Sequence, residues 1–278
     1  MNNVELQPKA ELFRAMHGGP AILVLPNAWD VASARVLEQA GMQAIATTSA
    51  GIAFSLGYPD GQRISRDEMI AAVARIAKAV KVPVTADVEA GYGNRAQDAA
   101  RTAKAVMEAG AVGINLEDST GNPERPLVDL PLAVEKIKAV REAGRAAGVA
   151  LVINARTDVY LENVGAPETR FDEACRRGKA FRDAGADCVF VPGVTDSETI
   201  GRLVQQLKCP INILAGPGSP STRELQGLGV ARVSMGSKPM LAGLGLLRRL
   251  VREVTEKGTY SALEGLVTHS EMQKMLGA

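Results

Sequence analysis

Asp87 and Glu89 close an apolar, β-branched run, Val82-Pro83-Val84-Thr85-Ala86-Asp87-Val88-Glu89, which then breaks into Ala90-Gly91-Tyr92-Gly93-Asn94. Side chains alternate across a strand, so carboxylates two residues apart are expected on one side, about 6 to 7 Å from each other. That separation is too wide for one shared proton. It suits a hard divalent cation that keeps part of its water shell, as magnesium does, with manganese as a substitute. An isolated D-x-E of this kind is more often a solvated strand end, but other apolar runs end in the same way. The run 113–118 offers Asn115 and Glu117 on one face, and the run 151–157 offers Asn154 and Arg156, with Asp158 just beyond. Asn212 and Ser234 belong to two later runs, and Asp60 follows Gly57-Tyr58-Pro59.

Three or four acids beside one arginine make a coherent chemical set. The acids hold a divalent cation directly or through its waters, and the cation binds paired oxygens of a 2-oxo acid or a similar anion. Arg156 grips a carboxylate or phosphate by two parallel hydrogen bonds. The turn Ser49-Ala50-Gly51 offers backbone N–H groups to a further oxygen. Charge withdrawn from a carbonyl stabilises an enolate, the intermediate of C–C cleavage, decarboxylation and P–C rearrangement alike. Structural roles compete with these. Arg156 could be only a salt-bridge partner of Glu117 or Asp158, though the ligand-gripping role is the favoured one; Asn154, Asn212 and Ser234 are at least as well suited to satisfying backbone groups, and Asp118 and Asp158 to capping loops. Neither His17 nor His269 falls at the end of an apolar run, so histidine acid–base chemistry is not expected.

Positioning these residues requires eight strands, at 22–27, 44–49, 82–89, 113–118, 151–157, 188–193, 211–215 and 232–236. Helical patterns follow at 31–39, 66–80, 96–108, 130–147, 167–184, 196–207, 222–228 and 239–256, with a leader helix at 9–17. Strict β/α alternation implies parallel strands joined by crossover helices. Ala40-Gly41, Ala109-Gly110 and Ala184-Gly185 each precede a strand as a helix-ending glycine, and 227–233 reads as a degenerate fourth copy. Eight such units predict a (β/α)8 TIM barrel, an α/β fold whose site lies at the C-terminal strand ends. No composition shift marks a second domain, so 1–278 is expected to be one barrel. An extra C-terminal helix, 260–276 within the tail 259–278, packs either on its own barrel or on a neighbouring subunit.

With 46% hydrophobic but only 4% aromatic residues, the interior is expected to be Ala, Val, Leu and Ile, as under parallel strands. Lys and Arg (32) nearly balance Asp and Glu (31), which points to a small ligand and away from nucleic acid or an anionic membrane. The first sixteen residues lack the apolar core of a signal peptide, and no apolar run reaches membrane-spanning length; a cytoplasmic protein is expected. Cys175, Cys188 and Cys209 have no metal-ligand spacing and read as small buried residues.

Leu25-Pro26-Asn27-Ala28-Trp29-Asp30, Thr48-Ser49-Ala50-Gly51, Leu56-Gly57-Tyr58-Pro59-Asp60, Ala86 to Gly93, Leu116-Glu117-Asp118 and Asn154-Ala155-Arg156-Thr157 resemble the phosphoenolpyruvate mutase/isocitrate lyase superfamily along nearly the whole chain. The resemblance implies a (β/α)8 barrel with magnesium near Asp87, Glu89 and Glu117, and Asp60 beside them. It implies substrate contacts from Ser49, Ala50, Gly51, Asp87, Arg156 and Asn212. It also implies a last helix exchanged between subunits of a homodimer or homotetramer. The lyases of the family carry K-[KR]-C-G-H just after L-E-D, whereas this chain reads Asp118-Ser119-Thr120-Gly121-Asn122-Pro123-Glu124-Arg125. The mutase pattern D-K-x(5)-N is absent too, with Ser119 in place of the lysine and Asn122 only loosely matching the asparagine.

What remains is chemistry that needs the cation and Arg156 but no cysteine: a lyase acting on a small 2-oxo or 2-hydroxy carboxylic acid, oxaloacetate-like, by C–C cleavage or decarboxylation. Asp60, Glu117, Arg156 and Tyr92 are the expected catalytic residues. Tyr92, Tyr58 or Glu117 would serve as base, and a tyrosine in that role needs its pKa brought down from about 10. Two other functions fit the same residues: mutase or hydrolase chemistry on a phosphonate, and a non-catalytic barrel that binds a dicarboxylate.

Overall fold

The computed structural model describes residues 3–277; Met1, Asn2 and Ala278, part of the expected domain, lie outside the described residues. Nine parallel segments form one sheet: β1 (Leu23–Leu25), β2 (Asn27–Ala28), β3 (Ile45–Thr47), β4 (Val84–Asp87), β5 (Gly113–Glu117), β6 (Val152–Arg156), β7 (Cys188–Phe190), β8 (Ile211–Leu214) and β9 (Arg232–Ser234). The expected first strand, 22–27, is divided because Pro26 has no N–H to give a ladder. Its first half pairs with β9 (Leu23↔Arg232) and its second with β3 (Asn27↔Ala46), so the same run of chain stitches both edges together and the eight-stranded barrel closes.

Around the barrel lie α2 (Val31–Gln39), α4 (Arg66–Ala79), α5 (Ala96–Glu108), α6 (Leu130–Ala146), α7 (Arg170–Asp183), α8 (Ser197–Leu207), α9 (Thr222–Gly227) and α10 (Lys238–Lys257). Gly41, Gly110, Gly185 and Gly229 all take left-handed φ, between 87° and 104°, at the turns that lead into β3, β5, β7 and β9. The repeated glycine is therefore the residue that lets each of these helices stop and the chain enter the next strand.

The leader helix α1 (Asn3–Met16) begins earlier than expected, since Leu6, Ala10 and Phe13 lie on one face and are fully buried. Phe13 plugs the N-terminal mouth of the barrel. The plug fits only because residue 113 has no side chain: a Cβ there would lie 2.7 Å from Thr85 Oγ1 and 2.8 Å from Phe13 Cε1. A short helix not expected from the sequence, α3 (Ser49–Ser55), follows β3 directly, capped by Thr48. The C-terminal segment 260–276 is not one helix. It makes a 3-10 turn at Ser261–Leu263, passes Gly265 (φ 75°) and restarts as α11 (His269–Leu276) behind a Thr268–Glu271 capping box. Met275 of α11 is buried, and its carbonyl accepts Arg35 Nε of α2 at 2.6 Å, so α11 packs on its own chain here.

Cys175 and Cys188 are buried and Cys209 is partly so, all three without a disulfide. Burial pushes the Cys188 thiol up to about 12 and Cys209 up to about 11, which suits packing and not nucleophilic attack. No helix among the described residues is long and apolar enough to cross a membrane.

Candidate active site

A cavity of about 360 Å³ opens at the C-terminal strand ends and is lined by Ser49, Ala50, Asp60, Asp87, Arg156 and Asn212, among others. This lies at the small end of the roughly 300–1,000 Å³ range of ligand sites. Asp87 ends β4. Its Oδ2 accepts the backbone N–H of Ser49 at 3.0 Å and the Ser49 hydroxyl at 2.8 Å, and its Oδ1 accepts Asn115 Nδ2 at 2.8 Å. Asn115 Oδ1 in turn accepts Asn154 Nδ2 at 2.8 Å. Asp87, Asn115 and Asn154 sit in register on β4, β5 and β6, so pairing of the strands aligns the chain of amides. Asn115 and Asn154 therefore serve the acid and not the backbone. Asn212 is fully buried and exchanges hydrogen bonds with the Ser234 hydroxyl.

Arg156 takes the structural part of its two expected roles. Its Nε and Nη2 meet the two oxygens of Asp158 at 2.5 and 2.9 Å, and its Nη1 meets Glu117 Oε2 at 2.8 Å. The forked edge that was expected to grip substrate is occupied by Asp158. A guanidinium has five N–H donors, and these contacts engage three, which leaves two N–H bonds on a side chain that lines the cavity. Burial works against the Arg156 charge, but Glu117 and Asp158 more than offset it and hold its pKa up. Burial also raises the carboxyls of Glu117 and Asp158, with Arg156 opposing the shift in both. Behind them Asp118, a loop cap as expected, accepts the Asp158 N–H at 2.9 Å and Arg177 Nη1 at 3.0 Å.

Glu89 departs from strand alternation. The strand stops at Asp87, and Glu89 takes φ 52°, so it no longer projects beside Asp87 as expected. Its carboxylate is 3% exposed and accepts the Gln62 N–H at 2.5 Å and the Tyr92 hydroxyl at 3.4 Å. Lys136 of α6 donates to the carbonyls of Ala90 (2.9 Å) and Gly93 (2.8 Å) and so pins this acidic loop, a tie the sequence did not announce. Burial, then Glu89 and Asp87, push the Tyr92 hydroxyl upward. That is the opposite of what a base at neutral pH requires, and Tyr92 is not a lining residue of the cavity.

Ser49 and Ala50 reach the cavity, but the turn has few N–H groups to spare. Ser49 gives its own to Asp87, and Gly51 donates to Thr48 Oγ1 at 3.3 Å. Gly51 is instead a packing glycine, since a Cβ would lie 2.6 Å from Thr48 Cγ2 and 2.9 Å from Trp29 Cβ. Asn122 accepts Glu124 N–H at 3.0 Å in its own exposed turn, which accounts for its side-chain oxygen.

Among the described residues no three His, Cys, Asp or Glu side chains are gathered as a ready metal shell. The acids nevertheless share a field. Asp60 as a whole residue is exposed, but it lines the mouth of the cavity, and partial burial there, then Asp87, raise its carboxyl. Burial, Asp87 and Asp60 push Glu89 up to about 7. Oxygen donors without histidine or cysteine suit a hard cation that retains water. Asp87 has one acceptor position left, because three of the roughly four lone-pair sites of a carboxylate are already used.

Glu89 has a measurable consequence for metal-free protein. Its folded pKa, about 7, lies above its ordinary 4.5, so the folded state binds the extra proton between those values. Its contribution to stability is complete below about pH 4.5 and is lost as the pH rises through 7. Denaturant midpoints of Glu89→Gln should lose that segment of the wild-type fall; an unchanged slope between pH 5 and 7 would rule the assignment out.

Arg232, Lys238 and Phe190 also line the cavity and were not singled out from the sequence. Arg232 shares the parity of Ser234 on β9, so strand alternation carried the signal.

Comparison with known proteins adds four findings. A profile of the family described as phosphoenolpyruvate phosphomutase matches residues 13–255. An uncharacterized protein of Mycobacterium tuberculosis is 37% identical over 264 residues, 95% of each chain. The 2,3-dimethylmalate lyase of Eubacterium barkeri is 30% identical over 274 residues, 92% of this chain and 90% of that one. Among solved structures, a provisionally described lyase/mutase from Burkholderia cenocepacia superposes with a TM-score of 0.91 at 37% identity, covering 98% of this chain and 97% of that one.

Proposed function

This chain belongs to the phosphoenolpyruvate phosphomutase family, whose relatives include carbon–carbon lyases, and from that premise we propose that it is a magnesium-dependent lyase of a small 2-oxo or 2-hydroxy carboxylic acid. The observation that carries this reading is the pairing, in one small cavity, of an Asp87 oxygen with a vacant acceptor position and two unspent N–H bonds on Arg156. Magnesium, or manganese in its place, would be held by Asp87 directly and by Asp60, Glu89 and Glu117 through water, and would polarise the carbonyl oxygen beside the bond that breaks. Ser49 and Asn115 orient Asp87 by their three hydrogen bonds. Arg156, immobilised by Glu117 and Asp158, gives its remaining N–H bonds to the substrate carboxylate. Asp60, with a raised pKa and open to solvent, returns the proton that an enolate carbon needs after C–C cleavage or decarboxylation.

The enzyme acts in this reading as one barrel domain, in the cytoplasm and as a homodimer or homotetramer. Leu241, Leu244, Leu247, Val251 and Val254 form an exposed stripe along α10 that supports self-association. The test is a panel of oxaloacetate, 2,3-dimethylmalate and phosphonopyruvate, each assayed with magnesium and with chelator. Turnover of a carboxylic acid that stops on chelation is expected. Turnover that survives chelation overturns the mechanism, turnover of phosphonopyruvate alone moves the function to P–C chemistry, and metal-dependent binding without turnover makes the barrel a dicarboxylate binder.

A further inference from the structure

Below the acid rim the cavity is lined by an arginine, Arg232, with N–H groups that meet no acceptor among the described residues. Arg232 points inward from β9, pairs in register with Leu23 and Asn212, and is 2% exposed. Its Nε and Nη1 are buried without a hydrogen-bond partner among the described residues. The nearby interior ion pairs, Arg156 with Glu117 and Asp158, leave it out. On its lower side it meets the ring of Phe13, 6.0 Å from the guanidinium carbon to the centroid. The titratable groups facing it are His17 in the turn just after α1, Cys188 on β7 and, from above, Asp87 on β4. Burial draws its pKa down to about 10, so it is a cation at neutral pH, and His17, lowered to about 4 by burial and then by Arg232, is neutral.

A buried guanidinium without a counter-ion is costly, and its replacement by an apolar side chain of similar size is commonly neutral or stabilising. Water can satisfy an N–H group but supplies no opposing charge. Thr85 Oγ1 and Asn154 Oδ1 line the same cavity and are likewise buried without a partner. The hydroxyl can donate to an anion, and the amide oxygen can accept from a substrate hydroxyl or a water. Three orphaned polar groups at the closed end of one cavity describe a site awaiting a compact oxyanion.

We propose that Arg232, with Thr85, forms a second anion position at the floor of the cavity, which takes the distal carboxylate of a substrate whose 2-oxo acid end lies at the Asp87–Arg156 rim. The inference rests on the reading of the rim given above and narrows it: the substrate is a dicarboxylate, and the end remote from the reacting bond is recognised by Arg232. An acid with a methyl in place of the distal carboxylate leaves the guanidinium unpaired and binds more weakly. The rim, two residues further along each strand, is indifferent to that change.

Calorimetric titration in magnesium buffer tests this with unreactive ligands. 2-Oxoglutarate and 2-oxoadipate carry a distal carboxylate; 2-oxopentanoate and 2-oxohexanoate have the same carbon counts without it; oxalate reports the rim alone. Wild-type protein should bind at least one of the dicarboxylates about tenfold or more tightly than its partner, a difference of about 1.4 kcal/mol. Arg232→Met should bring that ratio to within about twofold of unity, leave oxalate binding unchanged, and melt at or above the wild-type temperature without ligand. Should Arg232→Met not fold, Arg232→Gln provides the same comparison. Absence of a dicarboxylate preference in wild type, or its persistence in the variant, overturns the proposal. Failure of oxalate to bind, with the Arg232-dependent preference intact, would instead remove the reading of the rim and keep the floor.

Discussion

Asp87→Ala is expected to lower kcat by at least about 10³-fold on the substrate the panel identifies, with no rescue by added magnesium. The figure follows from the loss of one well-placed electrostatic group, worth roughly 10²–10³-fold alone, together with the loss of the acid proposed to touch the cation. The side chain is also the acceptor of three hydrogen bonds, from Ser49 N, Ser49 Oγ and Asn115 Nδ2, so its removal releases the first turn of α3 and the amide chain through Asn154. Asp87→Asn separates these effects: it keeps the volume and removes the charge. Both variants should fold, since removing Asp87 relieves the repulsion that contributes to raising Asp60 and Glu89. Circular dichroism must accompany the kinetics, and activity within tenfold of wild type would remove Asp87 from the mechanism.

Arg156→Met should cost more in stability than any other single change at the rim. Glu117 and Asp158 flank the guanidinium at 2.8 and 2.5 Å with side chains 11% and 1% exposed, and the substitution leaves both without a cation. Breaking a buried pair from one side costs about 3–5 kcal/mol. The penalty is pH-dependent, and its sign can be stated. Burial already raises both carboxyls, and loss of Arg156, the opposing influence in each, raises them further. The variant's folded state therefore holds protons that the unfolded state has released. Its deficit against wild type is smallest in mild acid and grows as the pH rises. Urea midpoints at pH 5.5 and pH 8 measure this, and an equal deficit at both would contradict it. Arg156→Lys, which keeps the charge but not the fork, should recover part of the stability and little of the binding.

The barrel itself was legible because its signals are local. Apolar runs alternating with helical periodicity, and a glycine ending helix after helix, require no knowledge of distant residues, and eight of them have few ways to close. The acids at the run ends were legible for the same reason. Periodicity could not show that Pro26 divides the first strand between two neighbours, because its pairing depends on β3 and β9. Nor could it show that Glu89 leaves the strand: alternation holds only while the backbone stays extended, and at Glu89 the chain turns left-handed to give its carboxylate to Gln62 and Tyr92.

By itself, then, the sequence determined which chemical groups would stand at the C-terminal end of a closed sheet. Tertiary structure decided which of them are engaged with one another and which are left over. Asp158 occupies the fork of Arg156, Asn115 and Asn154 serve Asp87, and Arg232 Nε and Nη1 have no hydrogen-bond partner among the described residues. The reason is that hydrogen bonds and ion pairs act over about 3 Å, whereas the residues that make them here come from strands and loops far apart in the chain, and only the register and stagger of those strands bring any two within reach.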